Sequence, residues 1–140
     1  MRLLLDTNIL LDVILSGRAG KAASTQVLDL CESGAHQGLV AWQTLPTVSY
    51  YHRKGHTNQE TWDMLRDLLD FIDVPTVGKN DLLKAWNYSL TDFEDALQVA
   101  CAEADQADFI ITRNIRDFAS SPIPAHTPED FLALSGNPVP

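Results

Sequence analysis

Short apolar runs alternate along the chain with longer segments in which apolar residues recur every three or four positions, and this pattern predicts strands interleaved with helices. Residues 3–5 are a run of leucines ended by Asp6, which reads as a buried strand. Ile9, Leu10, Val13 and Ile14 then fall at helical spacing over 8–15. Gly17 and Gly20 break the chain before a second helix over 22–32, with Val27, Leu28 and Leu30 on its apolar side. A strand over 38–42 and a helix over 44–53 follow, the latter around Leu45, Val48 and Tyr51 with Pro46 near its start.

In Thr57-Asn58-Gln59-Glu60 the threonine can accept the third helical amide while the glutamate returns to the cap amide. This capping box opens an amphipathic helix through Trp62, Leu65, Leu68, Leu69 and Ile72. Residues 74–77 predict a short strand, and Asn80 begins a helix carrying Leu82, Leu83, Ala85 and Trp86. Thr91-Asp92-Phe93-Glu94 reads as a second capping box, opening a helix that runs to about Asp105. Residues 109–111 predict a fully apolar strand, 114–118 a short helix and 123–126 an edge strand. Thr127-Pro128-Glu129 caps a last helix through Phe131 and Leu134.

Strands alternating with helices predict a three-layer α/β domain: a mostly parallel central sheet flanked by helices. No repeat or linker divides the chain, so residues 1–135 are expected to form one domain and 136–140 a loose tail. With 140 residues, 45% of them hydrophobic and 21% charged, the chain can bury a core without disulfides. Cys31 and Cys101 each lie inside an apolar helical pattern, as inert thiols of a reducing cytoplasm do. The apolar start is too short for a signal peptide, and no stretch has the length of a membrane span. The expected localisation is therefore cytoplasmic, with no membrane partner.

Ten Lys and Arg against nineteen Asp and Glu leave a formal charge of -9, which excludes a protein that coats nucleic acid with a basic surface. It leaves open an acidic pocket whose field a metal ion reverses. Ligands of an open parallel sheet bind beyond the carboxyl ends of its strands. Asp6 follows the first strand, and Asp117 lies five residues beyond Thr112, at the end of the last buried strand. Asp92 and Asp95 share one helix face, and their helix runs antiparallel to the strand it feeds, which puts its first turn at the same edge. Four acids spread over the chain thus converge on one patch. Carboxylates about 4 Å apart repel by roughly 4 kcal/mol per pair at an effective dielectric near 20, so such a cluster needs a cation or shifted pKa values. Oxygen ligands without His or Cys suit Mg2+ or Mn2+.

Each acid also has a plainer reading. Asp92 at the first helical position answers the helix dipole, and Glu94 as the capping-box acid needs no other role. Asp117 reads equally as a turn residue, and Asp6 equally as an N-cap. Asp95 lies beside the buried stripe of its helix and is harder to dismiss. Arg53-Lys54, Arg113 and Arg116 are the cations best placed for a phosphate backbone, Arg113 and Arg116 flanking the proposed site. His36, His52, His56 and His126 have no ligand spacing and read as solvated. Trp42, Trp62 and Trp86 read as core or half-buried. Ser24, Ser49 and Ser89 lack a paired histidine and a nucleophile elbow.

The segments Leu4-Leu5-Asp6-Thr7-Asn8-Ile9-Leu10-Leu11-Asp12, Asp92-Phe93-Glu94-Asp95-Ala96-Leu97-Gln98, Ile111-Thr112-Arg113-Asn114-Ile115-Arg116-Asp117-Phe118 and Pro128-Glu129-Asp130-Phe131-Leu132 together resemble, in order, the motifs of the PIN-domain family. The resemblance implies a metal-dependent, single-strand-specific endoribonuclease on a Rossmann-like sheet. Many compact bacterial members are VapC-type toxins of toxin–antitoxin pairs, homodimers silenced by a small antitoxin. It implies Asp6 as the first metal-binding acid, Asp95 as the third and Asp117 as the fourth, because the usual acid two residues after the threonine is Asn114. Thr7, Asn8, Thr112 and Asn114 would be supporting polar groups, and Asp92 an auxiliary ligand. The chain departs from the family in one respect: the helix after the second strand normally carries a glutamate, and Thr47 falls near that position. No acid occurs from Ser33 through Gln59.

A haloacid-dehalogenase-type phosphatase would need Asp-x-Asp after the first strand, where Asn8 stands instead. A receiver domain would need an acid pair there and a phosphoacceptor aspartate on a middle strand. The remaining alternative to the nuclease is a degenerate PIN domain that binds RNA or a protein partner without cutting.

Overall fold

The computed structural model describes residues 1–137, and its sheet is wholly parallel. In chain order the elements are β1 (Arg2–Leu5), α1 (Thr7–Ile14), α2 (Lys21–Glu32), β2 (Gln37–Leu39), α3 (Thr44–His52), α4 (Asn58–Leu69), β3 (Ile72–Asp73), α5 (Lys79–Leu83), α6 (Phe93–Ala104), β4 (Phe109–Ile111), β5 (Ala125–His126) and α7 (Pro128–Leu134). Single 3-10 turns cover Lys84–Asn87 and Ile115–Phe118. The strands lie in the order β3-β2-β1-β4-β5. Connections therefore leave β1 toward one edge and return through β4 toward the other, so a crevice opens between the carboxyl ends of these two central strands.

The leucine run of β1 is buried on both sides, as the central strand of a parallel sheet must be. Leu3 and Leu5 pack with Leu10, Val27, Val48, Leu68 and Phe131 on the face covered by α1, α2, α3, α4 and α7. Leu4 faces the other way, in register with Leu39 and Ile110, and packs with Val99, Ala100 and Cys101 of α6. Two layers of helix around one sheet are the expected architecture. No helix among the described residues is long and apolar enough to cross a membrane.

Several local expectations are corrected. The third strand is Ile72–Asp73, in register with Gly38 and Leu39, and not 74–77. Pro75 has no amide to donate, and Val74 and Val77 instead pack against opposite faces of the sheet. The second strand stops at Leu39; Val40 and Ala41 are buried, but Trp42 turns out to solvent. All three tryptophans are exposed, at 65% for Trp42, 74% for Trp62 and 69% for Trp86, against the expectation of core or half-buried positions. Their spacing matched the apolar stripes, but each stands at the rim of its helix or turn. His52 is buried, its Nδ1 within 2.8 Å of the Thr61 hydroxyl, and is not solvated.

The Thr57–Glu60 capping box forms as expected, with both reciprocal bonds present. The second box does not. Asp92, not Thr91, caps α6 and accepts the Asp95 amide at 3.0 Å, which leaves Glu94 free of any capping role. Of the expected loose tail, Gly136 adopts a left-handed φ of 78° and Asn137 donates its amide to the Leu132 carbonyl at 2.8 Å, closing α7 in the manner of a glycine cap. Residues 138–140 of that expectation lie outside the described residues.

Because Leu4 is fully buried between the two helical layers, Leu4→Ala should cost about 2–5 kcal/mol of folding stability. Urea unfolding would show this as a lower midpoint at an unchanged slope.

Candidate metal centre

At the crevice between β1 and β4 the chain builds a polar cleft of about 290 Å³. Asp6, Asp92, Asp95 and Asp117 all line it, as do Thr7, Asn8 and Asn114, so the acids expected to converge do converge. Arg113, Arg116 and Thr112 are not among its lining residues, and no lysine, arginine or histidine is.

Asp6 stands at the N-cap position of α1, yet its carboxylate does not cap that helix. It is buried and accepts two side-chain hydrogen bonds, from Thr112 Oγ1 at 2.8 Å and from Gln98 Nε2 at 2.9 Å. Its amide donates to the Ile111 carbonyl at 2.9 Å, continuing the β1–β4 pairing by one residue. The Thr112 hydroxyl in turn accepts the Asn114 amide at 3.0 Å, and the Asp117 amide bonds the Asn114 carbonyl. The loop after β4 is thereby folded back so that Asp117 reaches the cleft from an exposed turn.

Helix α6 brings three acids from one turn. Asp92 caps it, Asp95 lies half-buried at its inner side, and Glu94 points across to the Thr7 hydroxyl at 3.3 Å. Thr7 also meets the buried Thr44 hydroxyl at 3.1 Å, which joins α1 to α3 at the cleft wall. Thr47 lines the same wall; its hydroxyl donates back to the Gln43 carbonyl. The only acid in the cleft that sequence reasoning set aside is thus Glu94, assigned to a capping box that does not form. Gln98 and Thr44 were missed outright. The available signal for Gln98 was a polar residue inside the buried Ala96–Val99–Ala100 stripe, one turn beyond Asp95.

Burial and mutual repulsion shape the electrostatics. The Asp95 carboxyl is pushed up from 3.8 to about 7, first by burial and then by the charges of Asp92, Asp6, Asp117 and Glu94. Glu94 is also raised, first by burial, with the Thr7 hydrogen bond working against the charges of Asp6 and Asp92. Nothing in the cleft supplies a compensating cation.

The donor set is all oxygen, which suits a hard divalent ion. Among the described residues no three Asp, Glu, His or Cys side chains converge closely enough to enclose such an ion. The residues therefore fit an ion that keeps several of its own waters and takes one or two carboxylates directly, the usual habit of Mg2+. The buried Oε1 of Gln98, beside Asp6, has no partner among the described residues.

A second charged network braces the site from behind. Asp12, buried on α1, accepts Arg18 Nε at 2.7 Å, Arg113 Nε at 2.8 Å and the Ser24 hydroxyl at 2.9 Å. Burial alone would raise its pKa, but these partners hold it below the ordinary value. Arg113 spends its remaining donors on both Glu129 oxygens, the Gly20 carbonyl and Ser24. It was expected to hold a phosphate backbone; the structure places it as a bolt fixing the loop after β4 to α1, α2 and α7. Gly20 is required by this close approach, since a Cβ there would collide with the Arg113 guanidinium and the Asp12 carboxylate. Arg116 is exposed and makes no ion pair among the described residues.

The strand order with an acid-lined crevice at its switch point defines the class: an α/β domain with its chemistry at the carboxyl ends of β1 and β4. The chain belongs to the PIN domain family, whose model matches residues 2–116. No curated protein sequence matches significantly. Among solved structures, a chain from a toxin–antitoxin complex of Klebsiella pneumoniae is 29% identical, over 89% of this chain and 96% of that one, with a TM-score of 0.67. A chain from VapBC2 of Rickettsia felis bound to a promoter DNA fragment is 17% identical, over 91% and 98%, with a TM-score of 0.69. A chain from VapBC-1 of nontypeable Haemophilus influenzae is 14% identical, over 91% and 98%, also at 0.69. The last two likenesses carry the fold.

Two outcomes follow from this geometry. The folded chain holds the Asp95 proton up to about pH 7 whereas an unfolded chain releases it near 3.8, so between those values the folded state binds more protons and stability falls as pH rises. In chelator, Asp95→Asn should therefore raise the thermal midpoint at pH 8 and leave it nearly unchanged at pH 4; equal shifts at both would refute the repulsion. Asp12→Ala leaves two arginines facing a buried gap and should cost about 3–5 kcal/mol in urea unfolding.

Proposed function

We propose that this PIN domain is a metal-dependent endoribonuclease of single-stranded RNA, acting as the toxin of a toxin–antitoxin pair. The observation that carries the reading is the convergence of Asp6, Asp95 and Asp117 on one cleft that contains no cation of its own. Among Asp6, Asp95 and Asp117, one or two carboxylates would hold Mg2+ or Mn2+ directly and the remainder through its waters, with Asp92 at the margin. Bound there, a divalent ion supplies charge shielding for a phosphodiester and a water of lowered pKa.

The chain's own groups have distinct tasks in this reading. Thr112 and Gln98 fix the two oxygens of Asp6, so that its carboxylate cannot rotate away from the cleft. Asn114 positions the turn that carries Asp117. Thr7 and Asn8 line the floor between the acids. Support for a partner comes from the toxin–antitoxin complexes to which the chain is similar; a small antitoxin and a homodimer in the cytoplasm complete the reading.

The position of Thr47 on the cleft wall favours a second reading, in which a site one acid short binds RNA without cutting it. Purified protein and labelled single-stranded RNA separate the two. With Mn2+ or Mg2+ the wild type should cut, chelator should abolish cutting, and Asp6→Asn or Asp95→Asn should lower the rate at least 100-fold. Equal cleavage by wild type and variants would expose a contaminant, and binding without cleavage would establish the second reading.

A further inference from the structure

On the far side of the first turn of α6 lies a second, smaller cavity of about 260 Å³. Asp92, Glu94 and Asp95 of that turn face the acidic cleft, while Thr91, Phe93 and Ala96 face this notch. The two sites are thus separated by the width of one helical turn. The notch is walled by Trp86 and Phe93, whose rings meet edge to face at 5.6 Å between centroids and 66° between planes. These rings are 69% and 58% exposed, so a corner of two aromatic faces stands open to solvent. Ser89 and Thr91 add hydroxyl groups at the rim, and no charged side chain lines it.

We infer that the Trp86–Phe93 notch is a base-binding subsite, which stacks one nucleobase of single-stranded RNA beside the phosphate presented to the acidic cleft. The inference rests on the nuclease reading for its substrate class and adds where the substrate is gripped. Three observations select this occupant. A notch of about 260 Å³ cornered by two aromatic rings has the size and shape for a single flat ring system. Its composition, aromatic faces with hydroxyls at the edge and no charge, matches a flat base with a polar rim. And the notch shares the first turn of α6 with a cleft that no lysine or arginine lines, so uncharged stacking would supply there the grip that cations supply elsewhere. Stacking is also open to any base, which places the notch as an anchor for unpaired RNA: a base inside a duplex offers no free face.

The test combines base removal with side-chain removal. Trp86→Leu and Phe93→Leu alter exposed rings outside the acidic cleft, and far-UV circular dichroism confirms that each variant folds. Wild type should bind a short single-stranded RNA about tenfold more tightly than either variant, and Trp86→Tyr should restore most of the loss. Oligonucleotides carrying one abasic site at successive positions should bind wild type about tenfold more weakly at one position only. The same abasic site should cost the Leu variants nothing, because the two losses describe one contact. Quenching of Trp86 fluorescence by RNA, in a Trp42→Phe/Trp62→Phe background, reads the contact without cleavage. Quenching without cleavage by the wild type would refute the nuclease reading and leave the subsite standing. Cleavage without quenching, or equal abasic losses in wild type and variants, would overturn the subsite alone. RNA that neither binds nor is cut would remove both. Unchanged RNA binding with a loss of dimer mass in sedimentation would instead make the notch a contact between copies of this chain, and overturn the inference.

Discussion

A carboxylate buried at the end of the central strand has to be answered from both sides, and this requirement organises the molecule. Asp6 leaves β1 where the sheet's connections diverge, with Thr112 of β4's end on one side and Gln98 of α6 on the other. Those two hydrogen bonds tie the three elements that make the cleft. They also explain why an ordinary N-cap does not form at Asp6: the side chain is already occupied inward, and α1 begins without its help. Once Asp6 is fixed, the rest follows by connection, since Thr112 sets Asn114 and Asn114 sets the turn bearing Asp117.

The support behind the cleft depends on a different balance. Buried Asp12 and partly buried Arg113 form an ion pair in which desolvation of the carboxylate offsets part of the Coulomb gain. It is repaid here by hydrogen bonds to Ser24, Arg18, Glu129 and the Gly20 carbonyl. The yield is positional rather than energetic. Arg113 sits between Thr112 and Asn114 in sequence, so pinning its side chain to α1, α2 and α7 fixes the path of the backbone that places Asp117. A residue expected at the substrate surface serves as a support behind it.

How far the sequence reveals this depends on the range of each signal. The parallel sheet was legible because the leucines of β1 and the Phe109–Ile111 run are apolar on both faces, and only a doubly covered strand requires that. The convergence of the four aspartates was legible from topology alone, given strands ending at Asp6 and Thr112. Features set by competition within a few residues were not. Thr91-Asp92-Phe93-Glu94 contains two acceptable caps one position apart, and choosing Asp92 turns Glu94 from a cap partner into a cleft residue. The same ambiguity hid the third strand, where Pro75 and two valines looked like a β segment but the register with Gly38 stops at Asp73. Tertiary partners such as Gln98 and Thr44 leave almost no local trace, because a polar residue in an apolar stripe reads as noise until something opposite needs it.

The surplus of negative charge acquires a sharper meaning from the placement of the acids. Solvated carboxylates spread over helix surfaces cost little, being screened within a Debye length. Those in the cleft are different: burial and four neighbouring acids push Asp95 to about 7, so the fold maintains like charges together against their repulsion. An amide at any of these positions would remove part of that repulsion, as Asn8 and Asn114, which also line the cleft, add none. Asp6, Asp92, Glu94, Asp95 and Asp117 together make the cleft a place where added positive charge would relieve repulsion. Aromatic faces stand beside it where cations would otherwise be expected, and the two features are complementary. In the nuclease reading these acids would have to draw a divalent ion, and no lysine or arginine lines the cleft to compete for them. On that reading the aromatic corner would hold RNA by stacking, which adds no positive charge to compete with a divalent ion for the acids.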